Sequence, residues 1–320
     1  MKAIRQYEFG DAGVLKCEEV PVPVIAQNEV LIKGAYTSIN YADIKSRIGS
    51  KAKGAFPFTL GLDIAGFIED GGNTRFKKGD RVIAFPDTGS YAEYVTAKED
   101  LVFLLPDSIS MEQAAAMPTV SILAYMLLHE VAHVVESDVI VIHSAAGGVG
   151  TMLTQFAKLF GVRKIIATVG DLKKAEHVRQ MGAEVVCHYD DFVETVLEET
   201  EGKGATVIFD SVAGDITQKS LACLANYGTL VQFGNSSGLK GEFSTADVHS
   251  SCRNIKGFSL GTTRKENPKR LAPAAHKIFD YLLAGKVHIP ITEIFELQDV
   301  QRAHQLMEGR THQGKILLKL

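Results

Sequence analysis

VIVIHSAAGGVGTMLTQFAK, residues Val139–Lys158, places three signals in succession. A run rich in Val and Ile reads as a buried strand. A glycine turn follows, and then a segment with apolar residues at helical spacing. Strand, glycine loop and helix, in that order, are the context in which a loop cradles the phosphates of a nucleotide. Gly147 lets the backbone approach a pyrophosphate, and Gly150 allows the helix to pack closely on the strand. Gly148 and Val149 lie between them, where a helix N-terminus offers free N–H donors and the positive end of its dipole. The first place of the usual G-x-G-x-x-G is Ala145 here, which the turn tolerates if that residue keeps a negative φ. Three glycines alone would also fit a plain connecting turn, so the rest of the chain has to decide.

Downstream the chain alternates. The pattern predicts strands over Val139–His143, Lys164–Val169, Glu184–His188, Ala205–Asp210 and Thr229–Phe233. Between them it predicts helices over Thr151–Phe160, Leu172–Met181, Phe192–Glu199 and Asp215–Leu224. Apolar strands alternating with helices imply a parallel sheet covered on both faces, an α/β doubly wound fold. In that setting the glycine loop reads as a dinucleotide-binding site.

The chain upstream is different. Glu29–Ile39, Asp63–Asp70, Asp80–Phe85 and Tyr91–Ala97 are short β-rich runs broken by Gly, Pro, Asn and Asp, which suggests a barrel or a partly open sheet. Ser110–Val131 then turns helix-forming. After residue 262 the pattern is helix (Lys269–Ala284), strand (Glu293–Leu297), helix (Asp299–Met307) and strand (Lys315–Leu318). This tail is too short to form a core alone, so it is expected to rejoin the N-terminal sheet. The 320 residues exceed one compact domain. The expected division is 1–121 with 263–320, and 122–262.

Composition narrows the function classes. Apolar residues make up 46% and charged residues 22%, and the net charge is −4. That balance gives no basic field for nucleic acid. No uncharged apolar run is long enough to span a bilayer, and MKAIRQYEFG lacks the apolar core of a signal peptide. Cys17, Cys187, Cys223 and Cys252 show neither a disulfide framework nor zinc-finger spacing, which suits a reducing cytoplasm.

The end of the second strand of the alternation speaks to the nucleotide. A site for NAD usually places an acid there to accept the ribose 2′-OH, and that acid would repel a 2′-phosphate. Here the apolar run ends on Val169 and Gly170 follows. The nearest acid, Asp171, is placed to cap the next helix. Lys173 and Lys174 lie just inside that helix. The missing acid favours NADP(H) over NAD(H).

Several segments then point one way: MKAI at the start, SINYAD (Ser38–Asp43), GLDIAG (Gly61–Gly66), FKKGDRV (Phe76–Val82), YAEY (Tyr91–Tyr94), HSAAGGVG, DSVAG (Asp210–Gly214), FGNSSG (Phe233–Gly238) and RTHQGKILL (Arg310–Leu318). With Gln155 and Lys158, they resemble the quinone oxidoreductase (zeta-crystallin-like) branch of the medium-chain dehydrogenase/reductase superfamily. The resemblance implies a GroES-like β-rich catalytic domain with a Rossmann domain inserted in it, NADPH as cofactor, and a homodimer. It places cofactor contacts at Asn40, Gly147, Gly148, Val149, Gly150, Gly170, Lys174, Tyr189, Ser211, Phe233, Gly234, Asn235 and Arg310. Lys174, Tyr189 and Arg310 would surround the 2′-phosphate.

The same resemblance speaks against a metal. Zinc-dependent relatives carry Cys where this chain has Asn40, and Gly-His-Glu where it has Gly61, Leu62 and Asp63. An Asn amide and a Leu are not zinc ligands. His129 and His133 stand four apart, a spacing that could bind metal on a helix but more commonly marks a packed face. Without a Lewis acid to stabilise an alkoxide, the site suits hydride delivery to a quinone or an enone in a dry cleft between the domains. Relatives often have tyrosines shortly after the Asn-x-x-Asp stretch. Lys45 and Lys51 occupy that neighbourhood here, which leaves Tyr41 as the candidate proton donor against a plain packing role. Three rivals remain open: an enoyl-thioester reductase of the same fold, a non-catalytic NADPH- or RNA-binding crystallin-like protein, and a redox sensor.

Overall fold

The computed structural model describes residues 1–50, 55–87 and 89–320; Lys51 lies outside them. Along the chain run β1 (Lys2–Arg5), β2 (Lys16–Glu19), β3 (Glu29–Ile39), α1 (Tyr41–Arg47), β4 (Ile64–Asp70), β5 (Arg81–Ala84), β6 (Tyr94–Lys98), β7 (Val102–Leu104), α2 (Met111–Ala116) and α3 (Pro118–Met126). Next come β8 (Val139–Ile142), α4 (Gly148–Leu159), β9 (Lys164–Val169), α5 (Ala175–Met181), β10 (Val185–His188), α6 (Phe192–Glu199), β11 (Ala205–Asp210), α7 (Asp215–Ala222), β12 (Leu224–Gln232), α8 (Thr245–His249) and β13 (Asn254–Gly257). The chain closes with α9 (Leu260–Glu266), α10 (Leu271–Leu283), β14 (Ile291–Glu296), α11 (Val300–Glu308) and β15 (Lys315–Lys319).

These elements form two compact units, Met1–Ile122 with Thr263–Leu320, and Leu123–Thr262. In the first, β14, β15, β3, β4, β5 and β7 lie side by side, and β6 also pairs with β3. The C-terminal strand enters this sheet antiparallel to β3, with Ile316 opposite Ile39. Ile39, Ile316 and Leu318 share one apolar cluster with Ile4, Ile44, Tyr91 and Met307. The chain's two ends are thus joined by burial of a common core, which stabilises by roughly 25 cal/mol per Å² of apolar surface removed from water.

The second unit is a parallel sheet in the order β10-β9-β8-β11-β12-β13. Counted from β8, this is the order of a doubly wound nucleotide-binding sheet, and its direction of winding reverses between β8 and β11. The α/β reading therefore holds. In this unit β13, which is the short polar run NIKG, and the five-residue α8 went unseen in the sequence, as did β1, β2, α1 and β7 in the other. β12 also begins earlier than its pattern suggests, at Leu224 rather than Thr229. A register shift in its pairing with β11, between Ala205 and Val207, breaks the alternation that would have marked it.

Candidate functional site

The loop after β8 is built by backbone geometry. Ser144, not Ala145, takes the left-handed conformation, with φ 55°. That explains why the first glycine of the usual motif is dispensable here. The Ser144 N–H donates to the Tyr189 hydroxyl at 2.7 Å, and its Oγ lies 3.0 Å from the same oxygen. The Ala145 N–H donates to the Thr168 carbonyl at 3.0 Å. These contacts tie the loop to the ends of β9 and β10.

Gly147 is the N-cap of α4, in extended conformation and with no side-chain cap. The first N–H groups of the helix are thus left for a ligand. A Cβ on Gly150 would run into the Ser144 carbonyl and reach within 2.5 Å of the Ala145 Cα, whereas one on Gly147 would meet only the Ser144 carbonyl, at 3.3 Å. The two glycines therefore serve different ends. Gly150 permits helix–strand contact, and Gly147 keeps the approach to the helix clear. The Thr151 hydroxyl, in the first turn of α4, is buried without a partner among the described residues.

At the end of β9, Val169 is buried and Gly170 is exposed, with nothing within 4 Å of where its Cβ would be. Asp171 accepts a hydrogen bond from the Lys173 N–H at 2.9 Å, so its carboxylate is spent on capping the short turn Leu172–Lys174. Lys174 is half-buried in that turn. Tyr189, also half-buried, follows β10 and reaches back to Ser144.

The ends of β11 and β12 are fixed by one acid. Asp210 is fully buried and accepts from the Val212 N–H at 2.7 Å, the Ala213 N–H at 2.9 Å and the Thr217 hydroxyl at 2.7 Å. Its carbonyl receives the Phe233 N–H at 3.0 Å, and the Ser211 carbonyl receives that of Ser236 at 2.9 Å. The backbone around Gly234 is thereby held against Ser211. A Cβ on Gly234 would lie 2.9 Å from the Ser211 carbonyl. The Asn235 Oδ1 accepts from the Gly238 N–H at 2.8 Å and orders the exposed turn. The sequence-predicted residues of this unit, Gly147 to Gly150, Gly170, Lys174, Tyr189, Ser211, Phe233, Gly234 and Asn235, thus gather along the carboxyl edge of the sheet.

Below that edge, His143 is buried between the Thr168 and Ser220 hydroxyls, 2.9 Å from each. Burial pushes its pKa down to about 4 against a weaker upward pull from Asp210. It is a neutral, hydrogen-bonded core residue. His129 stacks on Tyr125 with ring centroids 5.2 Å apart, and the His133 Nδ1 is 3.0 Å from the His129 carbonyl. Ring stacking and a backbone contact account for this pair.

The remaining predicted residues lie in the other unit. Asn40 is the N-cap of α1, and its N–H donates to Asp43 Oδ2 at 2.8 Å. Asn40 Oδ1 accepts from the ammonium of Lys315 at 2.8 Å. The Tyr41 ring packs against the apolar cluster of Ile4, Ile39 and Ile316. Lys45 is half-buried on α1, and Arg310 is exposed in a left-handed turn after α11, with φ 53°.

Around Asn40 lies a polar chain that sequence reasoning missed. Arg47 donates to His304 Nδ1 across 3.2 Å and makes a two-pronged pair with Glu308. Arg47 occupies Nδ1 as a donor, so His304 carries its proton on Nε2 and donates to the Tyr91 hydroxyl at 3.2 Å. The Tyr91 hydroxyl in turn donates to Asp43 Oδ2 at 3.1 Å. Arg47, His304, Tyr91 and Asp43 are all buried. Burial pushes the Asp43 carboxyl up to about 7, partly offset by the Asn40 N–H. Burial, and then the Arg47 charge, push His304 down to about 3. One sign was legible: Asp43 stands three residues after Asn40, the return half of a capping box.

These shifts fix a pH dependence. Between their folded values (about 3 and 4) and their ordinary 6.5, His304 and His143 bind fewer protons in the folded protein than in the unfolded chain. Their contribution to stability is present above pH 6.5 and is lost as pH falls through that window. Asp43, raised from 3.8 to about 7, acts oppositely, but it is one group against two. The melting temperature is expected to fall between pH 6.5 and 4.5, and less steeply in His304→Gln. A flat profile, or one that His304→Gln leaves unchanged, would contradict the assignment of a neutral buried His304.

Two family models match the chain: an alcohol dehydrogenase GroES-like domain over residues 26–107, and a zinc-binding dehydrogenase over residues 148–277. Quinone oxidoreductase 1 of Escherichia coli is 34% identical over 98% of this chain and 98% of its own. The quinone oxidoreductase of Homo sapiens is 30% identical over 100% of this chain and 98% of its own. The solved structure of Escherichia coli quinone oxidoreductase complexed with NADPH superposes with a TM-score of 0.94 at 31% identity, covering 100% of both chains.

Proposed function

The chain belongs to the quinone oxidoreductase branch of the medium-chain dehydrogenase/reductase superfamily, and on that footing we propose that it binds NADPH and reduces a quinone or an α,β-unsaturated carbonyl without a metal. The observation that carries the reading is the carboxyl edge of the 123–262 unit. There an uncapped helix N-terminus, the cleared approach at Gly147 and the open space at Gly170 lie on one sheet edge. NADPH, when bound, would supply a hydride to the substrate and leave as NADP⁺, and water would supply the one proton that completes the reduction. Gly148, Val149 and Gly150 present N–H groups to the pyrophosphate. Lys174 and Tyr189 are assigned to the 2′-phosphate, and Ser211, Phe233, Gly234 and Asn235 to the rest of the cofactor. Tyr189 is held for its task by Ser144.

Metal independence is supported by charge. The Asn40 carboxamide already faces the Lys315 ammonium at 2.8 Å, and a second cation there would be repelled. Asp63, beside it, spends its carboxylate on the Ser38 hydroxyl at 2.6 Å and the Thr119 N–H at 3.0 Å. Tyr41 is left as a packing residue in this reading, with water as the proton source. The family resemblance that implies the cofactor also implies a homodimer. All four thiols are free, with Cys17 and Cys252 exposed, a condition that lasts in a reducing compartment such as the cytoplasm.

The test is NADPH consumption by purified protein against a panel of quinones and enals, before and after dialysis against a chelator. Turnover with at least one quinone or enal, undiminished by the chelator, is expected. No turnover with any acceptor, or a loss of activity restored by zinc, would overturn the reading.

A further inference from the structure

Lys315 opens β15 and is buried, 2% exposed. Its ammonium donates to the Ile39 carbonyl at 2.9 Å and to Asn40 Oδ1 at 2.8 Å. An ammonium has donors only, so it can face only the oxygen of a carboxamide. Lys315 thereby fixes which way the Asn40 amide points.

The other end of that amide is under-used. Asn40 Nδ2 carries two N–H donors. Its neighbours are Ser38 Oγ at 3.3 Å, the Ser38 carbonyl at 3.4 Å, and Asp63 Oδ1 and Oδ2 at 3.4 and 3.5 Å. All four exceed the usual range of about 2.7–3.2 Å for N–H···O bonds. The acceptors themselves are taken at shorter range, since Ser38 Oγ and the Thr119 N–H hold the two Asp63 oxygens at 2.6 and 3.0 Å. Next to this cluster, the Thr119 hydroxyl is buried with no partner among the described residues. The site thus contains an amide whose acceptor is committed and whose donors are weakly engaged, beside an orphan hydroxyl.

We propose that Asn40 is the hydrogen-bond donor to the substrate's carbonyl oxygen, and that Lys315 is the positioning residue that makes it a donor. The inference rests on the quinone or enone reading above. It defines the ligand group as an acceptor oxygen, and it assigns to Asn40 a role beyond contact with the nucleotide. As the substrate takes up hydride, negative charge develops on that oxygen, and a fixed donor aimed at it stabilises the charge without reorganisation. The adjacent ammonium withdraws electrons from the carboxamide and strengthens its N–H as a donor.

Two routes test this, with para-benzoquinone as the probe. Asn40→Asp keeps the shape and offers Lys315 a carboxylate to pair with, while the donor is lost and an oxygen takes its place 3.4 and 3.5 Å from the Asp63 oxygens. At saturating NADPH it is expected to lower kcat by about 100-fold, with calorimetry showing a protein still folded at the assay temperature. In difference infrared spectra of the quinone bound to the NADP⁺ complex, the wild type is expected to show a red-shifted carbonyl stretch that Asn40→Asp abolishes. Lys315→Met is expected to lower kcat as well. Combined with Asn40→Ala it should add nothing beyond Asn40→Ala alone, because Lys315 acts through Asn40.

A wild-type kcat in Asn40→Asp, or a carbonyl stretch in that variant still red-shifted as in the wild type, would overturn the proposal, as would fully multiplicative losses in the double variant. Should Lys315→Met fail to fold, Asn40→Asp and the spectra decide alone. Absence of any quinone turnover by the wild type would instead mark failure of the underlying functional reading, and the inference would fall with it.

Discussion

Gly150→Val is expected to lower the melting temperature by about 10 °C, through an overpacking cost of about 3 kcal/mol, and to weaken cofactor binding as well. Gly150 is buried in the first turn of α4, directly over the loop that leaves β8. The new Cβ would collide with the Ser144 carbonyl and lie 2.5 and 2.8 Å from the Ala145 Cα and C. These are backbone atoms, so no side chain can swing away. Relief requires lifting α4 from the sheet, where Met152, Leu153 and Phe156 are fully buried. Lifting it also strains the Ser144 N–H bond to Tyr189. Differential scanning calorimetry checks this, and a melting temperature within two or three degrees of wild type (roughly 1 kcal/mol) would show that α4 is not seated as described.

Gly147→Val is expected to behave differently: a folded protein, destabilised by about 1 kcal/mol, with at least a 100-fold loss of NADPH affinity. Gly147 has φ −79° and ψ 169°, a conformation open to Val. Its Cβ would meet only one carbonyl oxygen, at 3.3 Å. The protein itself therefore makes little demand for glycine here. The demand comes from a phosphate that must sit against the α4 N-terminus, where a branched side chain would take its place. Fluorescence titration of the folded variant checks this, and near-normal affinity would mean that the loop does not cradle a pyrophosphate.

The contrast between these glycines shows what a sequence can and cannot convey. The strand, loop and helix of Val139–Lys158 are legible because hydrophobic period and glycine punctuation are local properties. So is the spent carboxylate of Asp171, since capping depends on near neighbours. Ala145 was legible only as a condition on φ, because nothing local reveals that Ser144 takes the left-handed turn with help from Tyr189, 45 residues away. The Asp43, Tyr91, His304 and Arg47 chain is harder still. Charged residues read as surface by default, and Arg47 meets Glu308 across 261 residues. Lys315 sits in the ordinary-looking run GKILL, and its burial follows only from the pairing of β15 with β3. Short polar elements such as β13 carry no periodic signal at all.

A nucleotide bearing a 2′-phosphate is expected at the carboxyl edge of the parallel sheet. The buried Val169 offers no acid to a ribose, Asp171 is engaged in its turn, and Lys174 and Tyr189 stand near by in sequence and fold. Each charge-assisted contact to a phosphate contributes about 1.5–3 kcal/mol, so even one such contact separates the two cofactors by at least about tenfold. Parallel fluorescence titrations of the wild-type protein with NADPH and NADH measure that separation directly. Saturable NADPH binding at least tenfold tighter than NADH is the predicted result; equal affinities, tighter NADH binding, or no saturable binding of either would contradict it.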